Sequence, residues 1–117
     1  MVAPALAVVP LYIYPNPGAW DPLTTSLTAN PDVNFQVIIN YSSGPGSDQY
    51  PNTTYIAAIA NLNSFANVQN ICYVHTSWAN RAIADVETDV STCAGYVLYL
   101  FIRNVYYNRL FTIYILK

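Results

Sequence analysis

Charge is what this 117-residue chain has least of: 9% of its residues are Asp, Glu, Lys or Arg, against about 25% in an average soluble domain. Basic residues are scarcest. Arg81, Arg103, Arg109 and Lys117 are all there are, and the first 80 positions hold none. A phosphate-neutralising stripe cannot be built from that supply, which excludes nucleic acid as a partner. One His and two Cys without a CxxC spacing exclude the usual zinc patterns, and no cofactor motif is present. Gly44-Pro45-Gly46 follows an apolar run but lacks the later Gly and Lys of a phosphate loop. The opening Met1-Val2-Ala3-Pro4 lacks the positive start of a signal peptide, so an exported form would carry its signal outside this sequence. Low charge does not mean disorder here, because 54% of the chain is hydrophobic and the net charge is only −2. The length allows one domain.

What is present alternates. Ala5 to Tyr14 is an uncharged, β-branched and aromatic run, as in a strand buried on both faces. Pro15-Asn16-Pro17-Gly18 breaks it. Asp21-Pro22 starts a helix to about Ala29, with Asp capping the free amides, and Asn30-Pro31 closes it. Phe35 to Asn40 is the second strand, and Ser42 to Ser47 a loop. Pro51-Asn52-Thr53 offers capping groups for a helix through about Phe65, with Ile56, Ile59, Ala60 and Leu62 or Asn63 as its apolar stripe. Ile71 to Thr76 is the third strand. A helix from Arg81 to Thr92 follows, with Ile83, Val86 and Val90 at helical spacing. Strand and helix in strict turn predict about three parallel βα units.

The last segment obeys other rules. Residues 1–95 carry a net charge of −5 and residues 96–117 a net of +3, with five of the eleven tyrosines in that final stretch. Tyr96 to Leu116 is long enough to span a bilayer, but Arg103 and Arg109 fall inside it and each central Arg costs about 3 kcal/mol on insertion scales. A membrane span therefore ranks below two other readings. One is a strand or helix packed on the preceding units. The other, which the composition favours, is a translated intron: Gly95-Tyr96-Val97 admits codons containing GTATGT, a common fungal intron start, and AT-rich codons supply Leu, Phe, Ile, Tyr, Asn and Lys.

In parallel α/β folds, ligands meet the carboxyl ends of the strands. Those positions are Tyr14 with the loop to Trp20, Asn40 with Gly44-Pro45-Gly46, and His75 with Thr76, Ser77 and Trp78. Aromatic rings beside neutral hydrogen-bonding groups suit a carbohydrate, and the absence of nearby Lys or Arg disfavours a phosphorylated ligand. Tyr12 and Tyr14 share one side of a strand. Trp20 and Trp78 serve equally well as sugar platforms or as packing. Asn52-Thr53-Thr54 is an N-glycosylation pattern in a loop, whereas Asn40-Tyr41-Ser42 lies at a strand end and is a poor acceptor. Cys72 and Cys93 form a disulfide only if the fold brings them together; two free thiols is the favoured reading. Asp85, Glu87 and Asp89 read as a solvated helix face.

Pro10-Leu11-Tyr12-Ile13-Tyr14-Pro15, then Gly18-Ala19-Trp20-Asp21-Pro22-Leu23, resembles the opening of the spherulin-4-type proteins, spherulation-specific family 4. Val37-Ile38-Ile39-Asn40, Ser43-Gly44-Pro45-Gly46, Tyr50-Pro51 with Tyr55, and Tyr73-Val74-His75-Thr76 with Trp78 and Arg81 continue it in order over about residues 8 to 95. The resemblance implies a (β/α)8 TIM-like barrel of which this chain carries the N-terminal units, a secreted or cell-surface location, and hydrolysis of an N-acetylgalactosamine-containing α-1,4-linked polysaccharide. It makes Tyr12, Tyr14, Asn40, His75 and Trp78 the candidate substrate-binding residues. This chain departs from the family where Tyr41 replaces a Pro, Cys72 a Gly, and Cys93 stands near a usual Tyr. The Asp-Glu pair expected at the end of a fourth strand is missing, for the last acid is Asp89. Glycoside hydrolysis needs two carboxyls across the scissile bond. The expectation is a family member that has lost the catalytic step, with a non-enzymatic carbohydrate-binding or cell-surface protein as the alternative.

Overall fold

The structure, a computed structural model, describes residues 3–48, 51–102 and 112–116. Strand β1 (Ala5–Leu11) is followed by helix α1 (Asp21–Ala29), β2 (Val33–Ile39), α2 (Thr53–Asn63), β3 (Val68–His75), α3 (Ile83–Ile102) and β4 (Thr112–Leu116). All neighbouring strands pair in parallel in the order β1-β2-β3-β4. The parallel α/β architecture is as the alternation predicts. Among the described residues there are four strands rather than three, because Thr112–Leu116 pairs with Ile71–His75. Residues 96–102 continue α3 straight through Gly95 instead of ending at Thr92. No helix among the described residues is long and apolar enough to cross a membrane.

One face of the sheet carries the helices. Leu11, Phe35, Val37, Ile39 and Val68 meet Leu27 of α1 and Tyr55, Ile59 and Leu62 of α2 in one buried cluster. A smaller cluster joins Cys72 and Val74 of β3 to Cys93 of α3, flanked by Val86 and Val90. Ile83 is 76% exposed and does not share that stripe. Cys72 and Cys93 are joined by a disulfide, with Cα atoms 6.2 Å apart, inside the usual range. The free-thiol expectation is therefore corrected: the β3-to-α3 turn folds the helix back over its own strand and stacks the two positions.

Strand β1 also departs from expectation. It ends at Leu11, and it lies at an edge, so Leu6 and Val8 on the face away from the helices are 59% and 55% exposed. Buried on both faces it is not. Toward the middle of that face the surface closes, with Gln36 Nε2 donating to Gln69 Oε1 at 3.2 Å and Ile38 and Ile71 buried.

Local chemistry sets the helix ends. Trp20, not Asp21, occupies the N-cap of α1 and makes no side-chain cap; Asp21 and Pro22 are the first helical residues. The acid acts there through the helix dipole. Asn52 is a true N-cap of α2, its Oδ1 accepting from Tyr55 N at 3.0 Å. At the amino-terminal end of the sheet, Asn67 Nδ2 reaches the carbonyls of Leu27 (3.2 Å), Asn30 (3.0 Å) and Val33 (3.2 Å). One side chain closes the α1-to-β2 turn against the start of β3.

Candidate functional site

The carboxyl ends of β1, β2 and β3 lie side by side, because Leu11 pairs with Ile39 and Ile39 with Cys72. The next residue in each strand is then Tyr12, Asn40 and Tyr73. Tyr12 and Tyr73 meet edge to face, ring centroids 5.6 Å apart, on the side of the sheet opposite the helices. Partial burial, with Tyr73 beside it, pushes the Tyr12 phenol above its ordinary pKa.

Tyr14 does not share that side. With the strand ended at Leu11, the chain turns, and Tyr14 packs edge to face on Tyr55 of α2 at 5.4 Å. Tyr55 is the centre of a second aromatic group, touching Trp20 at 6.0 Å and Tyr41 at 4.9 Å. Its hydroxyl donates to the Asn40 carbonyl at 3.4 Å. Burial first, then Tyr14 and Tyr41, raises the Tyr55 phenol pKa. Trp20 is buried and donates Nε1–H to the Ile13 carbonyl at 2.9 Å, so it packs. Trp78 is 85% exposed and does not pack.

Asn40 and His75 are tied to one loop. Asn40 Oδ1 accepts from Gly44 N at 3.1 Å, and His75 Nδ1 lies 2.8 Å from the Ser43 carbonyl. A carbonyl only accepts, so Nδ1 carries a proton and Nε2 is the ring nitrogen turned away from this loop contact. Gly44 is required here: its φ is +140°, and a Cβ would come within 3.4 Å of Asp89 Oδ2.

Arg81 holds the other side of the rim. Its Nη1 donates to the His75 carbonyl at 3.0 Å and to Asp89 Oδ2 at 2.6 Å, and its Nη2 to the Asp85 carbonyl at 3.5 Å. The Asp89 hydrogen bond holds the guanidinium charged. Asp89 is thereby corrected from a solvated helix residue to the half-buried partner of an ion pair; Asp85 and Glu87 are exposed. Between His75 and Arg81 the backbone runs through three successive left-handed residues, Ser77 (φ +50°), Trp78 (+57°) and Ala79 (+66°). None is glycine, which is a costly conformation, and it is the one that presents the Trp78 indole.

The structure thus brings Tyr12, Asn40 and His75 to one rim, with Tyr14 beside it on Tyr55 and Trp78 standing out from it. Asn52, the candidate glycosylation site, is exposed, and its Nδ2 donates to Tyr14 Oη at 3.3 Å. Tyr55, Ser43 and the Arg81–Asp89 pair were not among the candidates. Tyr55 is signalled by its place three residues after Asn52, the spacing of a capped helix. Ser43 binds through its backbone, which leaves no mark in sequence. No Asp or Glu terminates β1, β2 or β3, and no cluster of metal-ligating side chains occurs among the described residues.

The family model for spherulation-specific family 4 matches residues 7–108. The chain belongs to that family. The match continues past Gly95, beyond the extent read from motifs. Spherulin-4 of Physarum polycephalum is 40% identical over 92 residues, covering 79% of this chain and 26% of that protein. The crystal structure of Aspergillus clavatus Sph3 in complex with GalNAc superposes with a TM-score of 0.80 at 42% identity, covering 86% of this chain and 40% of that one. The family member therefore spans well under half the length of either relative.

Proposed function

We propose that this chain is the N-terminal part of a carbohydrate-active protein whose site takes an N-acetylgalactosamine-containing, α-1,4-linked polysaccharide, and that these 117 residues bind the glycan without cleaving it. The observation that carries the reading is the rim itself: Asn40 and His75 anchored on one loop, with tyrosine edges and an exposed indole beside them. Sugars present hydroxyls and apolar C–H faces to such groups. The GalNAc complex of the 42%-identical Sph3 supports the same ligand class. Among the described residues the cation at the rim is Arg81, and it is engaged by Asp89. Hydrolysis requires two carboxyls flanking the bond, and the carboxylates of this chain lie elsewhere than on strand ends.

Saturation-transfer NMR with GalNAc and with α-1,4-linked GalNAc oligomers tests the binding half. Transfer is expected to the wild-type chain and to be lost in His75→Ala and weakened in Trp78→Ala. A reducing-end assay tests the other half, with no release expected. Absence of transfer to folded wild-type protein sinks the reading, and release of reducing ends by this chain sinks the non-hydrolytic part.

We further propose an extracellular or cell-surface location, supported by the disulfide, since such bonds persist in oxidising compartments, and by the exposed Asn52-Thr53-Thr54 pattern. Secreted protein that shifts mass on glycosidase treatment, and no longer does so in Asn52→Gln, is the expected result. The translated-intron reading of residues 96–117 is a separate proposal. Transcripts that resume after Gly95 with other codons support it, and reads unbroken through Lys117 end it.

A further inference from the structure

The contacts at the rim close on themselves. Asn40 Oδ1 accepts from Gly44 N, and the neighbouring Ser43 carbonyl accepts from His75 Nδ1. The His75 carbonyl accepts from Arg81 Nη1, and the same nitrogen donates to Asp89 Oδ2. That oxygen leads back to the start, since it lies 3.4 Å from where a Cβ on Gly44 would stand. The circuit is fixed from behind. Asp89 sits one helical turn before Cys93, on the same face of α3, and Cys93 is bonded to Cys72 of β3. Arg81 also closes the turn that precedes it, its backbone N–H donating to the Thr76 carbonyl at 3.1 Å while Asn80 N donates to Ser77 at 3.0 Å. Three successive left-handed residues persist only where the surroundings over-determine them, and the Arg81 backbone and side chain together do so here.

We propose that Arg81 and Asp89 are positioning residues of the rim. They hold the Ser43–Gly44 loop against the end of β3 and fix the turn that carries Trp78. Asn40, His75 and Trp78 then stand in one arrangement before any ligand arrives, and groups set in advance lose less freedom on binding. Both act through other groups: Arg81 through the His75 backbone and its own turn, Asp89 through Arg81 and Gly44. Lysine cannot stand in for Arg81. The task needs a planar fork that meets the His75 carbonyl, the Asp89 carboxylate and the Asp85 carbonyl at once, and an ammonium is a point charge. The inference rests on these contacts, and only its consequence for a sugar rests on the carbohydrate reading.

Amide hydrogen exchange followed by NMR on the full chain tests it without a ligand. The Gly44 amide, buried and bonded to Asn40, is the probe, and the Tyr55 amide, bonded to Asn52 in the other part of the fold, is the reference. Arg81→Lys and Asp89→Asn are each expected to speed Gly44 exchange about fivefold, with Tyr55 unchanged. Glu87→Gln removes an exposed charge from the same helix and is expected to move neither. Should a variant fail to fold, the wild-type chain in about 1 M sodium chloride decides, because screening the ion pair speeds Gly44 and spares Tyr55, whose cap is uncharged. A Gly44 rate that stays put, or rises only in step with Tyr55, overturns the proposal. So does acceleration confined to the amides of α3, the mark of a pair that merely pins the helix. Titration with GalNAc in the same spectra reads the consequence, with affinity about fivefold weaker in Arg81→Lys than in wild type. Equal affinity in the two overturns the positioning role; a wild-type chain that ignores GalNAc ends the carbohydrate reading and leaves the exchange result to decide this one.

Discussion

Around β1 and β2, ten buried side chains from strands, helices and the first loop form one continuous apolar cluster, whereas the described residues around β3 and α3 form a separate cluster of Cys72, Val74 and Cys93. The first region is held by area. The second replaces area with a covalent bond and an ion pair, Cys72–Cys93 near the middle of the unit and Arg81–Asp89 at its rim. The contrast accounts for the two unusual cysteines. Each is explained by the other, since the bond ties β3 to α3.

The comparison breaks if the first region does not depend on packing. Leu62 is fully buried against β2, and Leu62→Ala leaves a cavity its rigid surroundings cannot fill. A loss of roughly 2–5 kcal/mol is expected in urea denaturation, with exchange protection falling across α1 and α2 together. Next in size is Cys93→Ser. Opening a loop of 21 residues costs about 3 kcal/mol in the chain-entropy account, and here exchange should rise in α3 while α1 and α2 keep their protection. Equal loss in both regions would erase the distinction between them.

Smaller effects sharpen it. Asn52→Ala removes the cap of α2 and should lower stability by about 1 kcal/mol in thermal melts, with the first turn of α2 loosening around Tyr55. Asp89→Asn removes an ion pair whose partners are both partly exposed to solvent, so the loss should stay below about 1 kcal/mol and shrink in high salt. The least effect is seen at alkaline pH. Tyr12 and Tyr55 have phenol pKa values raised in the folded state, so their contribution to stability is intact below the ordinary tyrosine value of about 10 and is lost as pH rises through the folded values. Phenolate absorbance should lag in the native protein and appear together with unfolding; phenols that titrate normally in the folded state would remove the cause.

Much of the fold is legible from the residues because its signals are local. The uncharged runs of β2 and β3, the Asn52 cap and the span of α1 depend on near neighbours. What was misread depends on distant ones. β1 has the composition of an interior strand, yet it lies at an edge, and composition is blind to sheet order. Cys72 and Cys93 are 21 residues apart, and only the return of α3 over β3 places them in reach. Asp89 looks solvated by spacing on its own helix; its partner Arg81 lies before that helix begins. At the rim, Asn40 and His75 are visible because they end strands. That they share a loop is not, because the loop binds them through the backbone of Ser43 and Gly44. Tyr12 and Tyr14 were separated by where β1 stops, a boundary that two more aromatic residues of the same type conceal.

The amide of Asn67 sits at the opposite end of the sheet from every candidate binding residue, gathering the turn after α1 and the start of β2 onto the segment before β3. The molecule therefore divides its labour lengthwise. One end is a fixed base that spaces the strands, and the other is an interchangeable top. Loops at the Ser43 and Trp78 end lie away from that base, so changes in them leave the spacing of the strands untouched.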